Sequence, residues 1–318
     1  MNVIEVKNLK KYYNRGKVRG VEDITFNIPQ GSRFGFLGPN GAGKTTTIRC
    51  LLGLLQIDAG EITILGEKIN PRVDVEIRNH IGYLPGELGL YKDLNAYQLI
   101  NYFAKLYDVV IDWDFIKDVA KRLKIDMKRK ISELSKGNKQ KVGVLAAIMG
   151  KFDILIMDEP TSGLDPLMQS EFYRIISERQ KESNCTVFIS THVLPEVEKF
   201  CDRVAIIKEG LIVEISDVQD LKEKSLKKIE LDFETVSGMK TFHSYLTSTF
   251  PGVVINYSFD DHISFLLPPK EAREILKDLG ERKWNGEEIK DFTIQHSSLE
   301  SIFLQYYKDT NMKKGEIA

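Results

Sequence analysis

The sequence predicts an α/β fold: a parallel core sheet covered by helices, followed by a small α+β domain. Three observations predict it. The segment "GFLGPNGAGKTTTIRC" (35–50) runs from a short apolar stretch through a glycine-rich turn into a helix-forming stretch. Two unbroken apolar runs, "DILIMDE" (153–159) and "TVFIST" (186–191), have the length and continuity of strands buried on both faces. Near residue 220 the pattern changes to short strands alternating with amphipathic helical stretches.

In chain order, residues 2–6, 22–28, 33–37 and 61–65 read as short strands, with the expected alternation clear in "SRFGFLG" and "EITIL". "KTTTIRCLLGLL" reads as a helix that opens at the glycines, and "HIGYLP" (80–85) as a short strand leading into a loop. Residues 94–130 are dominated by helical spacing, as in Leu99, Tyr102, Phe103 and Leu106. A helix of about fifteen residues fits between the two apolar runs, as a right-handed parallel crossover requires. Beyond residue 220, "KKIELDFE" is a strand, and Met239, Phe242, Tyr245, Leu246 and Thr249 fall at helical spacing. "VVINYSF" and "HISFLLP" form a hairpin around Asp260 and Asp261. Ala272, Ile275, Leu276 and Leu279 mark another helix, "EIKDFTI" a strand, and "SSLESIFLQYY" a last helix opened by a capping box from Ser297 to Glu300. The order β-α-β-β-α-β-α predicts a ferredoxin-like domain.

The chain has 318 residues, 42% of them hydrophobic, and a formal net charge of −1. That is enough apolar material for two domains, and near-neutrality argues against wholesale nucleic-acid binding. The lysines and arginines of 117–141 read as a solvated helix face, apart from those at the turn "LSKGNKQ" (134–140). Cys50, Cys185 and Cys201 match no metal-ligand spacing and read as reduced thiols of an intracellular protein. The start, "MNVIEVKNLKKYY", lacks the apolar core of a signal peptide, and no apolar run nears the ~18–20 residues that span a bilayer.

"GPNGAGKT" (38–45) is a G-x-x-x-x-G-K-T loop set between a strand and a helix, the context of a P-loop. Its backbone N–H groups wrap phosphate, and a Cβ on the glycines would obstruct them. Lys44 is expected to bind the β- and γ-phosphates, and Thr45 to ligate Mg²⁺. A dinucleotide-binding alternative lacks its G-x-G-x-x-G and downstream acid. Asp158 and Glu159 end a buried strand, where paired carboxylates are costly unless a cation or a reaction uses them. Asp158 is expected to hold Mg²⁺. Strand alternation turns Glu159 elsewhere, to polarise an attacking water. His192 ends the other apolar run, and its predicted partner is the γ-phosphate. His80, His243, His262 and His296 read as packing or surface residues.

These motifs, "GPNGAGKTT", "LSKGN", "ILIMDEPTSGLD" and "STH", make residues 3–215 resemble the ATP-binding subunit of an ABC transporter. The resemblance implies a P-loop NTPase of the ABC ATPase type: a parallel core sheet, an antiparallel β subdomain and a helical subdomain (about 88–150) within 1–219. Residues 220–318 then form the accessory α+β domain. It implies ATP and Mg²⁺ as cofactors and Gly38, Pro39, Asn40, Gly41, Ala42, Gly43, Lys44, Thr45 and Thr46 as the phosphate loop. It also implies a head-to-tail dimer with a second copy of the chain. Ser135, Gly137 and Asn138 would then close on the partner's γ-phosphate, anchored by Val142, Leu145 and Met149 of a helix starting near Asn138. Ser162, Gly163, Leu164 and Asp165 would cross to the partner. Tyr13 matches the aromatic residue that stacks on adenine, with Tyr12 its competitor. Separate transmembrane permease subunits would hold the chain at the cytoplasmic face of the membrane, in a drug-, antibiotic- or ion-exporting branch. A soluble ABC ATPase acting on ribosomes or DNA is the alternative, and a GTPase or kinase a third reading that leaves "LSKGN" unexplained. Two positions depart from the usual pattern. Lys136 and Asn138 stand in a turn that is usually L-S-G-G-Q. Gly86 stands where a Mg²⁺-ligating glutamine is usual, so Glu87 is expected to take over part of that role.

Overall fold

Alternating burial starts the chain as an antiparallel hairpin, β1 (Asn2–Tyr13) and β2 (Val18–Pro29), with Ile4, Val6, Leu9, Ile24, Phe26 and Ile28 buried. The computed structural model describes residues 1–14, 16–69, 76–224, 226–281 and 289–296. β1 outruns the predicted 2–6 because register shifts between Val6 and Tyr12 break its period of two while its backbone pairing continues to Tyr13. β3 (Arg33–Leu37) leads through the phosphate loop into α1 (Lys44–Leu51). β4 (Ala59–Ile64) and β5 (Glu67–Lys68) extend the antiparallel edge, and β6 (Ile81–Leu84) returns to the core.

Three helices follow within 88–150, two of them inside the 94–130 stretch read as helical. α2 (Ala96–Leu106) is fixed by a reciprocal capping box between Asn95 and Gln98. α3 (Trp113–Arg122) is capped by Asp112, and α4 (Lys136–Ala147) by Ser135. α4 therefore begins two residues before the predicted Asn138, because the Ser135 hydroxyl satisfies an orphan N–H of the first turn. β7 (Ile154–Asp158), α5 (Pro166–Ser183) and β8 (Thr186–Thr191) form the expected crossover, and both strands are buried at every position. α6 (Leu194–Phe200), β9 (Arg203–Lys208) and β10 (Leu211–Asp217) complete this unit.

The ten strands form one sheet in the order β5-β4-β1-β2-β10-β9-β3-β8-β7-β6, parallel from β9 to β6. Phe26, Phe34, Phe36 and Phe188 stack at its centre, with ring centroids 5.5 to 6.3 Å apart. Arg179 of α5 ties the helical segment to this core. It is 1% exposed and donates to Asp112 at 3.0 Å and to the Ile148 carbonyl at 3.1 Å, with its guanidinium 4.1 Å from the Phe115 ring centre. Burial pushes the Asp112 carboxyl up, but hydrogen bonds from Arg179 and the Phe115 N–H hold it below its ordinary value.

The chain divides into two compact units, Met1–Asp217 and Val218–Ala318. In the second, α7 (Val218–Lys224) precedes β11 (Lys227–Phe233), α8 (Val236–Thr249), β12 (Val254–Phe259), β13 (His262–Leu267), α9 (Pro269–Glu281) and β14 (Ile289–His296). The antiparallel sheet order β12-β13-β11-β14 is that of a ferredoxin-like split β-α-β. Its core includes Leu231, Phe233, Phe242, Leu246, Phe265 and Ile275. The predicted last helix, with its Ser297–Glu300 box, lies outside the described residues.

Arg179→Met keeps the side-chain volume but strands its hydrogen-bond partners. Urea denaturation is expected to show a loss of about 2 kcal/mol at neutral pH. Because Asp112 titrates below its unfolded value, its share of that stability is present above the ordinary Asp range and is lost as pH falls from there through the lowered folded value. The difference between wild type and variant therefore narrows in acid.

Candidate functional site

Strand pairing decides which side chains meet. β3 lies beside β8, and β8 beside β7, with Leu37 opposite Thr191 and Ser190 opposite Asp158. The carboxyl ends of all three strands thus open at one edge, where open α/β sheets bind ligands. β3 delivers the phosphate loop, β7 delivers Asp158 and Glu159, and β8 delivers His192.

Two glycines fix the loop's path. Gly43 has φ +110°, and a Cβ there would sit 2.7 Å from the Gly20 carbonyl oxygen. A Cβ on Gly38 would sit 2.3 Å from the Ile207 oxygen. Lys44 is 6% exposed and arches back over the loop, donating to the carbonyls of Gly38 at 2.7 Å and Pro39 at 3.1 Å. Its Nζ lies 3.2 Å from Glu159 Oε1. Thr45 Oγ1 donates to Asp158 Oδ2 at 2.8 Å, and the Ser190 hydroxyl donates to Oδ1 of the same carboxylate.

Glu159 does not follow strand alternation. β7 ends at Asp158, and Glu159 takes φ +48°, a left-handed conformation that a non-glycine residue adopts at a cost. That turn brings both carboxylates onto neighbouring residues of the phosphate loop, rather than sending Glu159 to another side. Glu159 Oε2 lies 2.8 Å from His192 Nδ1. Its Oε1 is buried with no hydrogen bond, although Lys44 faces it. A buried acceptor with spare capacity beside a lysine and a histidine is equipped to take a hydrogen bond from water.

A cleft of about 340 Å³ opens over the loop, lined by Tyr13, Pro39, Asn40, Gly41, Gly43, Lys44, Thr45, Thr46 and Glu159 among others. Gly38 and Ala42 back the loop instead, and the Ala42 carbonyl accepts from Gly210 N at 2.9 Å. The Tyr13 hydroxyl is 3.2 Å from Thr46 Oγ1, which puts Tyr13 rather than Tyr12 at the cleft wall. Ser135, Gly137, Asn138 and Asp165 do not line this cleft. Ser135 accepts from Asn138 N at 3.3 Å, and Asp165 caps α5 by accepting from Met168 N at 3.0 Å. Gly137 packs so closely that a Cβ would lie 2.7 Å from the Gly163 oxygen.

Gly86 faces the Asp158 carboxylate, since a Cβ there would lie 3.3 Å from Asp158 Oδ2. Glu87 is exposed and makes no hydrogen bond or ion pair among the described residues. The adjacent oxygens of Thr45 and Asp158 are hard donors suited to a Mg²⁺ shared with phosphate. No group of three or more His, Cys, Asp or Glu forms a protein-only metal cage among the described residues. The three cysteines are free and buried, and burial pushes the Cys50 thiol up to about 12.

Two site residues escaped the sequence reading. Ser190 holds Asp158, and its hydroxyl was one of three in the run "TVFIST", with nothing to single it out. Gln140 is 4% exposed and donates to the Pro160 carbonyl at 3.0 Å, tying α4 to the residue after Glu159. Its signal was masked by the lysines on either side.

Comparison with known proteins agrees with this geometry. Residues 21–162 match the family described as ABC transporter. The bacitracin transport ATP-binding protein BcrA of Bacillus licheniformis is 38% identical, over 72% of this chain and 74% of its own. The linearmycin resistance ATP-binding protein LnrL of Bacillus subtilis is 36% identical, over 69% of this chain and 70% of its own. A solved structure titled as the ATP-binding subunit of an ABC transporter superposes with a TM-score of 0.62 at 27% identity, covering 69% of this chain and 92% of that one.

Gly43→Ala places a methyl against the Gly20 carbonyl at a φ that alanine resists, so the loop must open. Fluorescent ATP titration is expected to show affinity falling at least about tenfold. The global unfolding midpoint should drop only slightly.

Proposed function

The chain belongs to the ABC transporter family of ATP-binding subunits, and from that premise we propose that it works as half of an ATP-closed homodimer in an exporter. It is an ATPase that couples hydrolysis to transport. The observation that carries the site assignment is the convergence of Lys44, Thr45, Asp158, Glu159 and His192 at adjoining strand ends.

ATP enters with its phosphates against the loop backbone and its adenine toward Tyr13. The Lys44 ammonium exchanges its carboxylate partner for phosphate oxygens. Thr45, with Asp158 behind it, is the holder of Mg²⁺, which when bound supplies positive charge to the phosphate oxygens. Glu87 is assigned a share of that role in place of the glutamine absent at Gly86. Glu159, released from Lys44, accepts a proton from the water that attacks the γ-phosphorus. The bond to the β-phosphate oxygen breaks, and ADP and inorganic phosphate result. His192, 2.8 Å from the same carboxylate, orients it and reaches the γ-phosphate.

The second copy follows from what one cleft lacks. Ser135, Gly137 and Asn138 carry phosphate-binding chemistry at the start of a helix but lie outside the cleft of their own chain. In the dimer they close on the partner's ATP, and Asp165 lies in the loop that crosses between the copies. Among the described residues no helix is long and apolar enough to cross a membrane, so permease subunits supply the path and hold the chain at the cytoplasmic face. Export is supported by the relatives named for bacitracin transport and linearmycin resistance.

Glu159→Gln is expected to bind ATP but hydrolyse it about 10²–10⁴ times more slowly. It should accumulate a dimer with ATP and Mg²⁺, read by light scattering. A monomer under those conditions would contradict the dimer. Glu87→Ala should raise the Mg²⁺ concentration needed for half-maximal hydrolysis, and an unchanged Mg²⁺ titration would remove Glu87 from the metal site.

A further inference from the structure

Behind the cleft, a buried carboxylate joins the two loops that carry Glu159 and His192. Glu196 lies in the first turn of α6 and is 7% exposed. Its Oε1 accepts from Thr161 Oγ1 at 2.5 Å, and its Oε2 accepts from Thr191 Oγ1 at 2.8 Å. Thr161 comes two residues after Glu159, and Thr191 immediately precedes His192. Both threonines are buried, at 5% and 1% exposure. Thr191 Oγ1 also accepts from Val193 N at 3.0 Å, so the backbone on either side of His192 is held. The Tyr173 phenol, whose ionisation is suppressed by burial and by the neighbouring Glu196 carboxylate, closes another side.

Packing alone does not call for this arrangement. Val187, Phe188 and Ile189, upstream in the same strand, fill the core with apolar groups. A buried carboxyl group is costly and makes sense only if both oxygens are used. Here each oxygen holds one loop. The two loops meet in space only through tertiary structure, since Thr161 and Glu196 are 35 residues apart.

We propose that Glu196 is a positioning residue for ATP hydrolysis, a strut that keeps Glu159 and His192 at their 2.8 Å separation. The inference rests on the assignment of those two residues to the reaction. Glu196 does not line the cleft over the phosphate loop. Its loss should therefore lower turnover and leave nucleotide affinity alone, a split that general destabilisation does not produce.

The test compares single-turnover ATP hydrolysis with binding of a non-hydrolysable ATP analogue, using the full chain. Glu196→Gln and Thr161→Val should each slow hydrolysis about 10- to 100-fold, with analogue affinity within about twofold. Thr161→Ser, which keeps the hydroxyl, should restore the rate to within about threefold of wild type. In a His192→Ala background, Glu196→Gln should cost less than about twofold, because both changes disable one unit. Thr161→Val decides the matter should Glu196→Gln fail to fold. The strut is overturned by wild-type turnover in a folded Glu196→Gln or Thr161→Val chain, by affinity falling as far as rate, or by full multiplicative losses in the His192→Ala background. Glu159→Gln, run alongside, separates the two levels. A wild-type rate there removes the catalytic assignment itself, whereas an inactive Glu159→Gln beside a fully active Glu196→Gln removes only the strut.

Discussion

Lys44 and Glu159 face each other at 3.2 Å, and the geometry of the site depends on that contact. A lysine only 6% exposed must have partners, because an ammonium removed from water without them is prohibitively costly. Two loop carbonyls satisfy two of its donors, and they also draw the loop closed around it. The Glu159 carboxylate, which supplies the opposing charge, reaches the ammonium only because the chain turns left-handed at that residue. The strain at Glu159 and the curl of the phosphate loop are thus two sides of one electrostatic requirement. In the proposed mechanism phosphate replaces the carboxylate as the partner of Lys44, so nucleotide binding and release of Glu159 become a single exchange.

The motifs were legible because their chemistry is local. A glycine-rich turn between strand and helix, and two acids ending an apolar run, announce themselves within a few residues. The direction of Glu159 was not legible. Alternation assumes that the strand continues, and here it stops one residue earlier. The length of β1 was hidden by register shifts that break its period while leaving its pairing intact. "RVAIIK" has only four apolar residues between two charges, and β9 and β10 went unread, since their places beside β3 and β2 are set by pairing over long sequence distances. The contact between Thr161 and Glu196 is of the same kind. Neither residue type nor spacing predicts it, because it exists only once α6 has packed behind β8.

In the proposed dimer the two departures from the usual pattern fall at opposite ends of the reacting phosphate. Gly86 leaves the face of Asp158 without a side-chain oxygen, so in the proposed site it offers the metal no ligand. Lys136 stands at the first position of α4, where the helix dipole is already positive and no acidic residue occupies the first turn. A cation there is locally unfavourable, and an anion from outside the chain would relieve it. In the proposed dimer that anion is the partner's γ-phosphate. The chain then holds less charge control on its own side of the nucleotide and more on the side it offers to its partner. In the proposed dimer that asymmetry would make closure depend more strongly on the second copy.

The segment after Glu159 is where these effects meet. Gln140 of α4 grips the Pro160 carbonyl from one side, and Glu196 grips the Thr161 hydroxyl from the other. Gly137 packs directly on the Gly163 carbonyl a few residues on. A short loop held at three successive points cannot shift at one without loading the others, because a close-packed interior has no slack to absorb the movement. In the proposed dimer, a change in the Glu159 turn would load the start of α4, whose hydroxyl and amides are assigned there to the partner's ATP. In that dimer the segment from Glu159 to Gly163, held by the contacts already described, is the shortest physical route from hydrolysis in one cleft to grip on the other.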